Sequence, residues 1–461
     1  MASSPRLPQW EDVDKRRRLV LGCIDQLPDE YLPWRRLRFH NPPALPDSFA
    51  PLAASLADLG LPAELFGPLT VEEWWLVLRR DRNNIGRDLP TLTSTSGQPL
   101  RFALTDQVLR QAEAVASQLG GQIGFAAEVA NDPNRDRYIR SALEEEAITS
   151  SQLEGAATTR RVAKEMLQTG RAPRDKSERM IANNFLAMQR ARELRDVALT
   201  PGLVRELHAI VTEATLDDSA DAGRLQALGE ERVVVVDARD DIVVHRPPDA
   251  AELPQRLQQL CDFANELDGG PYLPGVLRAL TLHFMVSYDH FFVDGNGRTA
   301  RAIFYWSMLH HGYWLAEYLT ISTILRKAFA QYAQSFIDTE QDGGDLTYFF
   351  LYHLDVLRRA IDGLRDYVQR TTSLQRSIRA RLDPSSGEFN LRQISLLGEA
   401  TRDPDRSFTA TVVAARFAVT DQTARSDLDD LVARGYLTRS REGHRFVWRV
   451  SPRLPELLNS T

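Results

Sequence analysis

The chain of 461 residues lacks several features that would settle its class at once. It has only two cysteines, Cys23 and Cys261, which argues against a disulfide framework and favours a reducing compartment. Its net charge of -7 is mild, which argues against a protein devoted to nucleic acid or membrane surfaces. No apolar run approaches the roughly 20 residues that span a bilayer, and the first residues lack the apolar centre of a signal peptide. We therefore expect a cytoplasmic protein without membrane contact.

What the sequence does have is helical patterning. Its length predicts two or three domains, and a hydrophobic content of 43% is enough for proper cores. Apolar residues recur mostly at helical spacing, so the predicted fold class is mainly α. Residues 1–100 are interpreted as an N-terminal helical extension without an assigned function.

One stretch, residues 290–301, concentrates reactive and anion-binding residue types between two helical patterns. Its relevant members are His290, Asp294, Gly295, Asn296, Gly297, Arg298 and Arg301. The glycines let the backbone approach an anion, and the N–H groups of the following helical turn have no intrahelical partner. Two guanidinium groups three residues apart suit a polyphosphate. Asp294 is a candidate Mg²⁺ ligand and His290 a candidate general base.

Simpler interpretations of this stretch explain less. An ordinary hairpin turn would have strand-like flanks, whereas these flanks are helical. A Ca²⁺ loop would need alternating acidic ligands, and a Walker A loop would need a Gly-Lys-Ser/Thr sequence. A zinc site is not indicated, because His283 and His290 do not form a His-Glu-x-x-His motif.

The stretch resembles the signature of the Fic family of nucleotide-transferring enzymes, His-Pro-Phe-x-Asp/Glu-Gly-Asn-Gly-Arg-x-x-Arg. The one departure is Phe291, which stands where the family has proline. Gly297 matches the nucleotidyl-transferring branch, since related Doc-type kinases have lysine there. The resemblance implies a Fic domain over residues 101–375, with His290 as base, Asp294 holding Mg²⁺, and the remaining loop residues binding ATP.

A second motif precedes the loop. Ser150, Glu154 and Gly155 resemble the family's inhibitory motif, Ser/Thr-x-x-x-Glu-Gly/Asn, within a predicted helix at about 140–155. A glutamate in a last helical turn opposes the helix dipole, which favours a role beyond structure. The resemblance implies that Glu154 pairs with Arg301 and displaces the γ-phosphate of ATP. The alternative is an ordinary helix that ends at a glycine.

A predicted hairpin at residues 232–246 stands alone among helices. Its valine run, Val233, Val234, Val235 and Val236, resembles the flap with which Fic enzymes hold a target segment. A free strand edge suits such a dock, although the hairpin could be purely structural. Farther on, Tyr332 resembles an aromatic position that the family places near adenine, but it could equally be a core residue.

Residues 385–461 predict a winged helix-turn-helix domain of the kind often appended to Fic proteins. Arginines and acidic residues nearly balance there, and the candidate recognition helix carries Asp421, Asp427, Asp429 and Asp430. DNA binding depends on neutralising phosphates, so a protein-docking module is favoured over a DNA reader.

The resulting hypothesis is a self-inhibited protein adenylyltransferase. It would transfer AMP from ATP, with Mg²⁺, to a Ser, Thr or Tyr hydroxyl of a target protein or of the chain itself, and a homodimer is left open. One rival is the reverse reaction, removal of AMP by a water that Glu154 orients. The other is a DNA-binding regulator whose Fic core serves as a sensor.

Overall fold

The computed structural model describes residues 82–121, 135–232, 234–237, 242–381, 389–402, 406–442 and 445–459. The fold is mainly helical, as predicted. Contacts divide the chain into two units, Met1–Ile361 and Asp362–Thr461. The predicted domain limits of 101–375 and 385–461 stay predictions. No helix in the described part of the chain is both long and apolar enough to cross a bilayer.

The first unit combines two short hairpins with a set of helices. Its early elements are β1 (Gly86–Thr93), β2 (Pro99–Ala103), α1 (Asp106–Leu119), α2 (Arg135–Leu153), α3 (Arg160–Thr169), α4 (Lys176–Glu193) and α5 (Pro201–Thr212). Its later elements are β3 (Val235–Asp237), β4 (Ile242–His245), α6 (Leu253–Ala264), α7 (Gly275–Asp289), α8 (Asn296–His310), α9 (Ile321–Lys327) and α10 (Phe329–Gln341). Helix α11 (Thr347–Arg381) begins in this unit.

Side-chain caps fix several helix starts. The Thr105 hydroxyl accepts a hydrogen bond from the Val108 N–H at the start of α1, where the sequence predicts an N-cap. Thr200 caps α5 in the same way through the Leu203 N–H, followed by Pro201 in the first turn. Helix α5 is thereby separated from α4, which ends at Glu193.

Helices α7 and α8 form the centre of the first unit. Nearly every side chain of both helices is buried, including Phe284 on α7 and Trp306 on α8, each 0% exposed. Burial extends around the whole circumference of both helices, so both lie inside the protein. The two helices pack against each other, so the short loop between them lies at one end of the core.

The hairpin β1–β2 corrects the sequence analysis. Residues 86–100 were expected to belong to a helical extension, but they form antiparallel strands, with Leu89 opposite Leu100. Leu89, Leu100 and Phe102 are buried, so this hairpin contributes to the core. Pro90 and a register shift between Leu89 and Thr93 hide the usual strand alternation. Predictions for residues 1–81 lie outside the described residues.

The second unit has its own apolar core. Its elements after α11 are α12 (Leu391–Arg402), β5 (Ser407–Phe408), α13 (Ala410–Phe417), α14 (Asp421–Ala433), β6 (Leu437–Glu442), β7 (Arg445–Val450) and α15 (Leu454–Asn459). The strands form an antiparallel sheet in the order β5-β7-β6. Thr420 caps α14 by accepting from the Thr423 N–H, and Leu428 and Trp448 lie in the core. Two helices followed by a hairpin are present, and the winged-helix assignment stays a prediction.

Candidate active site

The stretch singled out by the sequence forms the loop between α7 and α8. His290 ends α7 in the left-handed region, with φ of 47°, and Gly295 begins α8 with φ of 85°. A Cβ on Gly295 would lie 2.6 Å from Cγ2 of Thr212 on α5. Glycine is therefore required at this position for two reasons: its backbone angle and the close approach to α5.

His290 has the tautomer that a general base needs. Its Nδ1 lies 2.7 Å from the carbonyl oxygen of Ser287, and because a carbonyl only accepts, Nδ1 carries the hydrogen. The lone pair is then on Nε2. Burial lowers the pKa of His290 below its usual value of 6.5 and outweighs the Ser287 bond, which acts to raise it. The ring is thus neutral, and able to accept a proton, at physiological pH.

Asn296 bonds to the backbone of its own loop. Its Oδ1 accepts a hydrogen bond from the Phe292 N–H at 3.0 Å, and its Nδ2 donates to the Phe292 carbonyl at 2.7 Å. The side chain is 3% exposed. Both of its polar atoms therefore bond to the loop's own backbone and stabilise its shape; Nδ2 carries a second N–H, so the contact of Asn296 with a phosphate stays a prediction.

Asp294 is the loop's exposed acid. Its side chain is 54% exposed, and Oδ2 lies 3.9 Å from Nη2 of Arg298. Oδ1 accepts from the Gly295 N–H at 2.5 Å. Among the described residues no group of three His, Cys, Asp or Glu side chains could hold a metal ion. A single carboxylate fits Mg²⁺, which is commonly bound by one or two carboxylates together with substrate phosphates and water.

The two arginines of the loop have different environments. Arg298 is 0% exposed and donates from Nη1 to the Val211 carbonyl at 3.0 Å, while its Nε and Nη2 have no hydrogen-bond partner. Arg301 is 1% exposed, and its guanidinium is engaged by α2 and the turn after it. Sequence spacing suggested one shared phosphate-binding face, and in the structure α2 occupies the Arg301 part of it.

The contact with Arg301 involves both parts of the second motif. Nε of Arg301 donates to the Ser150 hydroxyl at 2.7 Å, and Nη2 donates to the Ser150 carbonyl at 3.1 Å. Nη2 also donates to Oε1 of Glu154 at 2.8 Å. Burial acts to lower the pKa of Arg301, but neighbouring Glu154 contributes most to the opposing effects that leave it raised. The predicted pairing of Glu154 with Arg301 is present in the geometry.

Gly297 allows Glu154 to come this close. A Cβ at Gly297 would lie 2.9 Å from Cδ of Glu154 and closer still to its Oε1. Any side chain there would have to displace the glutamate. Gly155, the glycine of the second motif, has φ of 91°, which suits the turn that ends α2.

Helix α2 is fastened to α4. The Ser151 hydroxyl donates to the Met180 carbonyl at 3.2 Å, and Nδ2 of Asn184 donates to the Ala147 carbonyl at 3.2 Å. The Ala157 N–H donates to the Ser177 hydroxyl at 3.1 Å. These bonds hold the end of α2 beside the loop, so the Glu154 contact is built into the fold.

Comparison with known proteins identifies the part of the chain that carries the loop. Residues 198–308 match the Fic/DOC family. The chain carries a Fic/DOC domain. None of the curated proteins matches the chain.

Solved structures of Fic proteins resemble the chain at low sequence identity. A Fic family protein from Desulfovibrio desulfuricans G20 is 18% identical, covers 76% of this chain and 97% of its own, and has a TM-score of 0.49. A Fic domain containing signaling protein from Bacteroides thetaiotaomicron VPI-5482 is 20% identical, covers 56% and 97%, and has a TM-score of 0.45. Fic-1 (aa134 - 508) from C. elegans is 14% identical, covers 77% and 98%, and also has a TM-score of 0.45.

The hairpin predicted as a flap, residues 232–246, is short and antiparallel: β3 pairs with β4, and Val236 lies opposite Val243. Val235 and Val236 belong to β3, and Val234 precedes it. Val233 lies outside the described residues. The hairpin itself is as predicted, and its role in docking a target stays a prediction.

Tyr332 lies near Arg301. Its hydroxyl is 3.1 Å from Nε2 of His283, and the two rings are stacked with centroids 5.9 Å apart. Burial raises the pKa of Tyr332 to about 12, while a bond to Arg301 acts in the opposite direction. The structure thus brings Tyr332 to the Arg301 side of the site, and its adenine contact stays a prediction.

The sequence analysis missed a histidine that supports the middle of the loop. His208 on α5 is 0% exposed, and its ring stacks on Phe292 with centroids 3.7 Å apart. Its Nε2 donates to the Asp294 carbonyl at 2.7 Å, and its Nδ1 accepts from the Gly223 N–H at 2.9 Å. Burial lowers the pKa of His208 to about 4. A lone histidine in an amphipathic helix carries no motif that would have revealed this contact.

Proposed function

We propose that the chain is a self-inhibited protein adenylyltransferase. Fic domains typically transfer a nucleoside monophosphate to proteins. The observation that carries the finer proposal is the pairing of Arg301 with Glu154 at 2.8 Å, opposite a His290 ring whose Nε2 bears the lone pair. The proposed base, His290, is thus able to accept a proton, while Arg301, one of the loop's two arginines, is occupied by the carboxylate of Glu154.

In the proposed reaction, His290 Nε2 takes the proton of a Ser, Thr or Tyr hydroxyl on the target protein. The hydroxyl oxygen forms a bond to the α-phosphorus of ATP as the bond to pyrophosphate breaks, which leaves AMP on the protein. The first N–H groups of α8 face the developing charge, because they have no intrahelical partner. Arg298 supports the outer phosphates with its unpartnered Nε and Nη2. Asp294 would hold Mg²⁺, which neutralises phosphate charge.

Inhibition follows from competition for one guanidinium. The Glu154 carboxylate and the γ-phosphate of ATP can each bind the planar guanidinium of Arg301, and charge-assisted hydrogen bonds of this kind are strong. While Glu154 holds the fork, ATP lacks the contact that would align its α-phosphorus. A substrate misplaced by about 1 Å can react about a hundredfold more slowly. The resting chain should therefore transfer AMP slowly to its target or to itself.

The test compares ATP labelled on the α-phosphate with ATP labelled on the γ-phosphate. A Glu154→Gly variant should attach label to protein from the first nucleotide and none from the second, and adding His290→Ala should abolish the labelling. Label from γ-ATP would show phosphate transfer instead. Failure of Glu154→Gly to attach either label would refute the proposal.

The reverse reaction is a second candidate, because Arg301 engages only Oε1 of Glu154 and that side chain is 31% exposed. Glu154 could then orient a water toward a protein-bound AMP. Release of AMP from a modified protein, lost in Glu154→Gly, would favour this candidate over transfer.

A DNA-binding role has less support. The exposed residues of α14 include Asp421, Gln422 and Arg425, a mixture that offers little positive charge. Two arginines of the β6–β7 hairpin are engaged within the unit: Arg439 pairs with Asp429 at 3.1 Å and Arg449 donates to Ser440 at 2.8 Å. DNA affinity that falls steeply with salt would reverse this judgement.

A further inference from the structure

The C-terminal end of α7 is capped by side chains from the flap. The last carbonyls of a helix have no intrahelical partner. In α7, three successive carbonyls, those of Tyr288, Asp289 and His290, accept hydrogen bonds from side chains. The donors are Arg232, just before the flap's first strand, and His245, the last residue of its second strand.

Arg232 makes the larger set of contacts. Its Nη2 donates to the Asp289 carbonyl at 2.7 Å and to the His290 carbonyl at 3.0 Å. Its Nε donates to the Pro248 carbonyl at 2.9 Å, and its Nη1 donates to Oε1 of Gln226. One guanidinium thus joins the start of the flap, the segment after the flap and the main chain of the proposed catalytic base.

His245 caps the preceding carbonyl. Its Nε2 donates to the Tyr288 carbonyl at 2.7 Å, and its ring lies against the Tyr288 ring with centroids 4.5 Å apart. Its Nδ1 lies 3.0 Å from Oε2 of Glu340 on α10. The second flap strand is thereby tied to α7 two residues before His290.

These contacts bear on the geometry of His290. A non-glycine residue in the left-handed region is disfavoured by about 1–2 kcal/mol and needs support from its surroundings. The support here is direct, because the carbonyl of His290 itself is held by Arg232. A positive group at a helix C-terminus is also favoured by the helix dipole.

We propose that Arg232 and His245 are positioning residues that lock the flap to the end of α7. They set the orientation of the His290 ring and the distance between Nε2 and a target segment docked on the flap. The proposal rests on the proposed transfer reaction and on the flap as the dock. It adds a physical link between target binding and the placement of the base.

The kinetic test uses the Glu154→Gly chain as parent. We expect Arg232→Met to lower kcat for target modification by about 10- to 100-fold while KM for ATP changes by less than about twofold. Arg232→Lys keeps a positive charge without the fork and should restore part of kcat. His245→Phe keeps a ring and removes the donor, so a smaller loss of kcat is expected. The matched control is Arg224→Met, because Arg224 pairs with Asp221 and with Glu230 at 2.8 Å, both outside α7.

A second readout does not need the transfer reaction. In chains with isotope-labelled histidine, NMR follows the Nδ1 proton of His290, identified by its absence in His290→Ala. Arg232→Met should shift or remove this signal, and Arg224→Met should leave it unchanged. The pKa of the ring should rise in Arg232→Met, because the charge of Arg232 acts with burial and His245 to lower it, whereas Glu154 acts to raise it.

The kinetic and NMR measurements distinguish a failure of the proposed function from a failure of the positioning role. If the parent transfers no AMP, the proposed function fails, and the NMR comparison still decides the positioning role. The positioning role is overturned if Arg232→Met keeps the parent's ring signal, or if Arg224→Met changes it equally. If Arg232→Met does not fold, Arg232→Lys decides: parent-like kcat and ring signal would overturn the proposal.

Discussion

The two ends of the loop between α7 and α8 are held by different parts of the chain. At the His290 end, the contacts come from Arg232 and His245, which lie within residues 198–308, the range that matches the Fic/DOC family. At the Arg301 end, they come from Ser150 and Glu154, far outside that range. The proposed base is thus held from within the matched range, whereas the proposed phosphate-binding Arg301 is covered by a helix outside it.

The two arginines of the loop, Arg298 and Arg301, also differ in how many of their nitrogens have hydrogen-bond partners. Arg298 keeps two buried nitrogens without hydrogen-bond partners, while Arg301 is engaged through Nε and Nη2. Leaving buried donors unpaired is costly, and such atoms often mark a site that a ligand completes. We therefore propose that Arg298 binds an anion in the resting chain, and that Arg301 does so once Glu154 has moved away.

The largest expected effect follows from removing Glu154. A hydrogen bond to a charged group contributes about 1.5–3 kcal/mol, so Glu154→Gly should raise AMP transfer by about 10- to 100-fold. Arg301→Ala in the same background should cancel the gain, because the freed guanidinium is then absent. Initial rates with α-labelled ATP measure both. A transfer rate in Glu154→Gly below that of the parent would mean that the contact is not inhibitory.

Gly297→Ala should also raise AMP transfer, but by less than Glu154→Gly does. The added Cβ would meet Cδ of Glu154 at 2.9 Å, which forces the carboxylate away from Arg301. The ion pair between Glu154 and Arg301 is then weakened but not lost, so we expect the rate of AMP transfer to rise by about three- to tenfold. In a Glu154→Gly background the same substitution should bring no gain. A loss of transfer in both backgrounds would show that the methyl group disturbs the nucleotide instead.

The loop and its contact with Glu154 were predictable because each of the two motifs is local in sequence. Asp294, Gly295 and Arg298 have few joint uses other than binding a phosphate, and Ser150, Glu154 and Gly155 fit a spaced motif. The two bonds of Asn296 to Phe292 were not predictable, because an asparagine suits phosphate binding as well as the closing of a loop.

The supports of the loop were missed because they depend on the tertiary fold. His208, Arg232 and His245 lie on three different segments, and each acts through a main-chain carbonyl of the loop or of α7. A carbonyl is present in every residue, so the sequence carries no sign of such a partner. The β1–β2 hairpin escaped prediction for a different reason, since Pro90 and a register shift break its alternation.

A substitution in the flap tests whether this hairpin binds the target protein. Val236→Pro removes a backbone N–H from β3, so main-chain pairing with a target segment should weaken. We expect KM for the target protein to rise by about three- to tenfold while KM for ATP stays unchanged. Steady-state kinetics with each substrate varied in turn give both values. An equal rise in both would assign the hairpin a supporting role only.

The smallest effect concerns pH and the state of the base. Burial lowers the pKa of His290 below 6.5, so the ring that accepts a proton is already the main form at neutral pH. The rate constant should then be flat from about pH 6.5 upward and fall as the pH drops through the lowered pKa. Because Glu154 acts to raise this pKa, the acidic limb in Glu154→Gly should lie at still lower pH. Single-turnover rates between about pH 5 and 8 measure the limb, with thermal unfolding at each pH as the control for stability. A rate that still climbs between neutral and alkaline pH would remove the buried neutral imidazole as the base, and with it the contrast between a set base and a covered phosphate side.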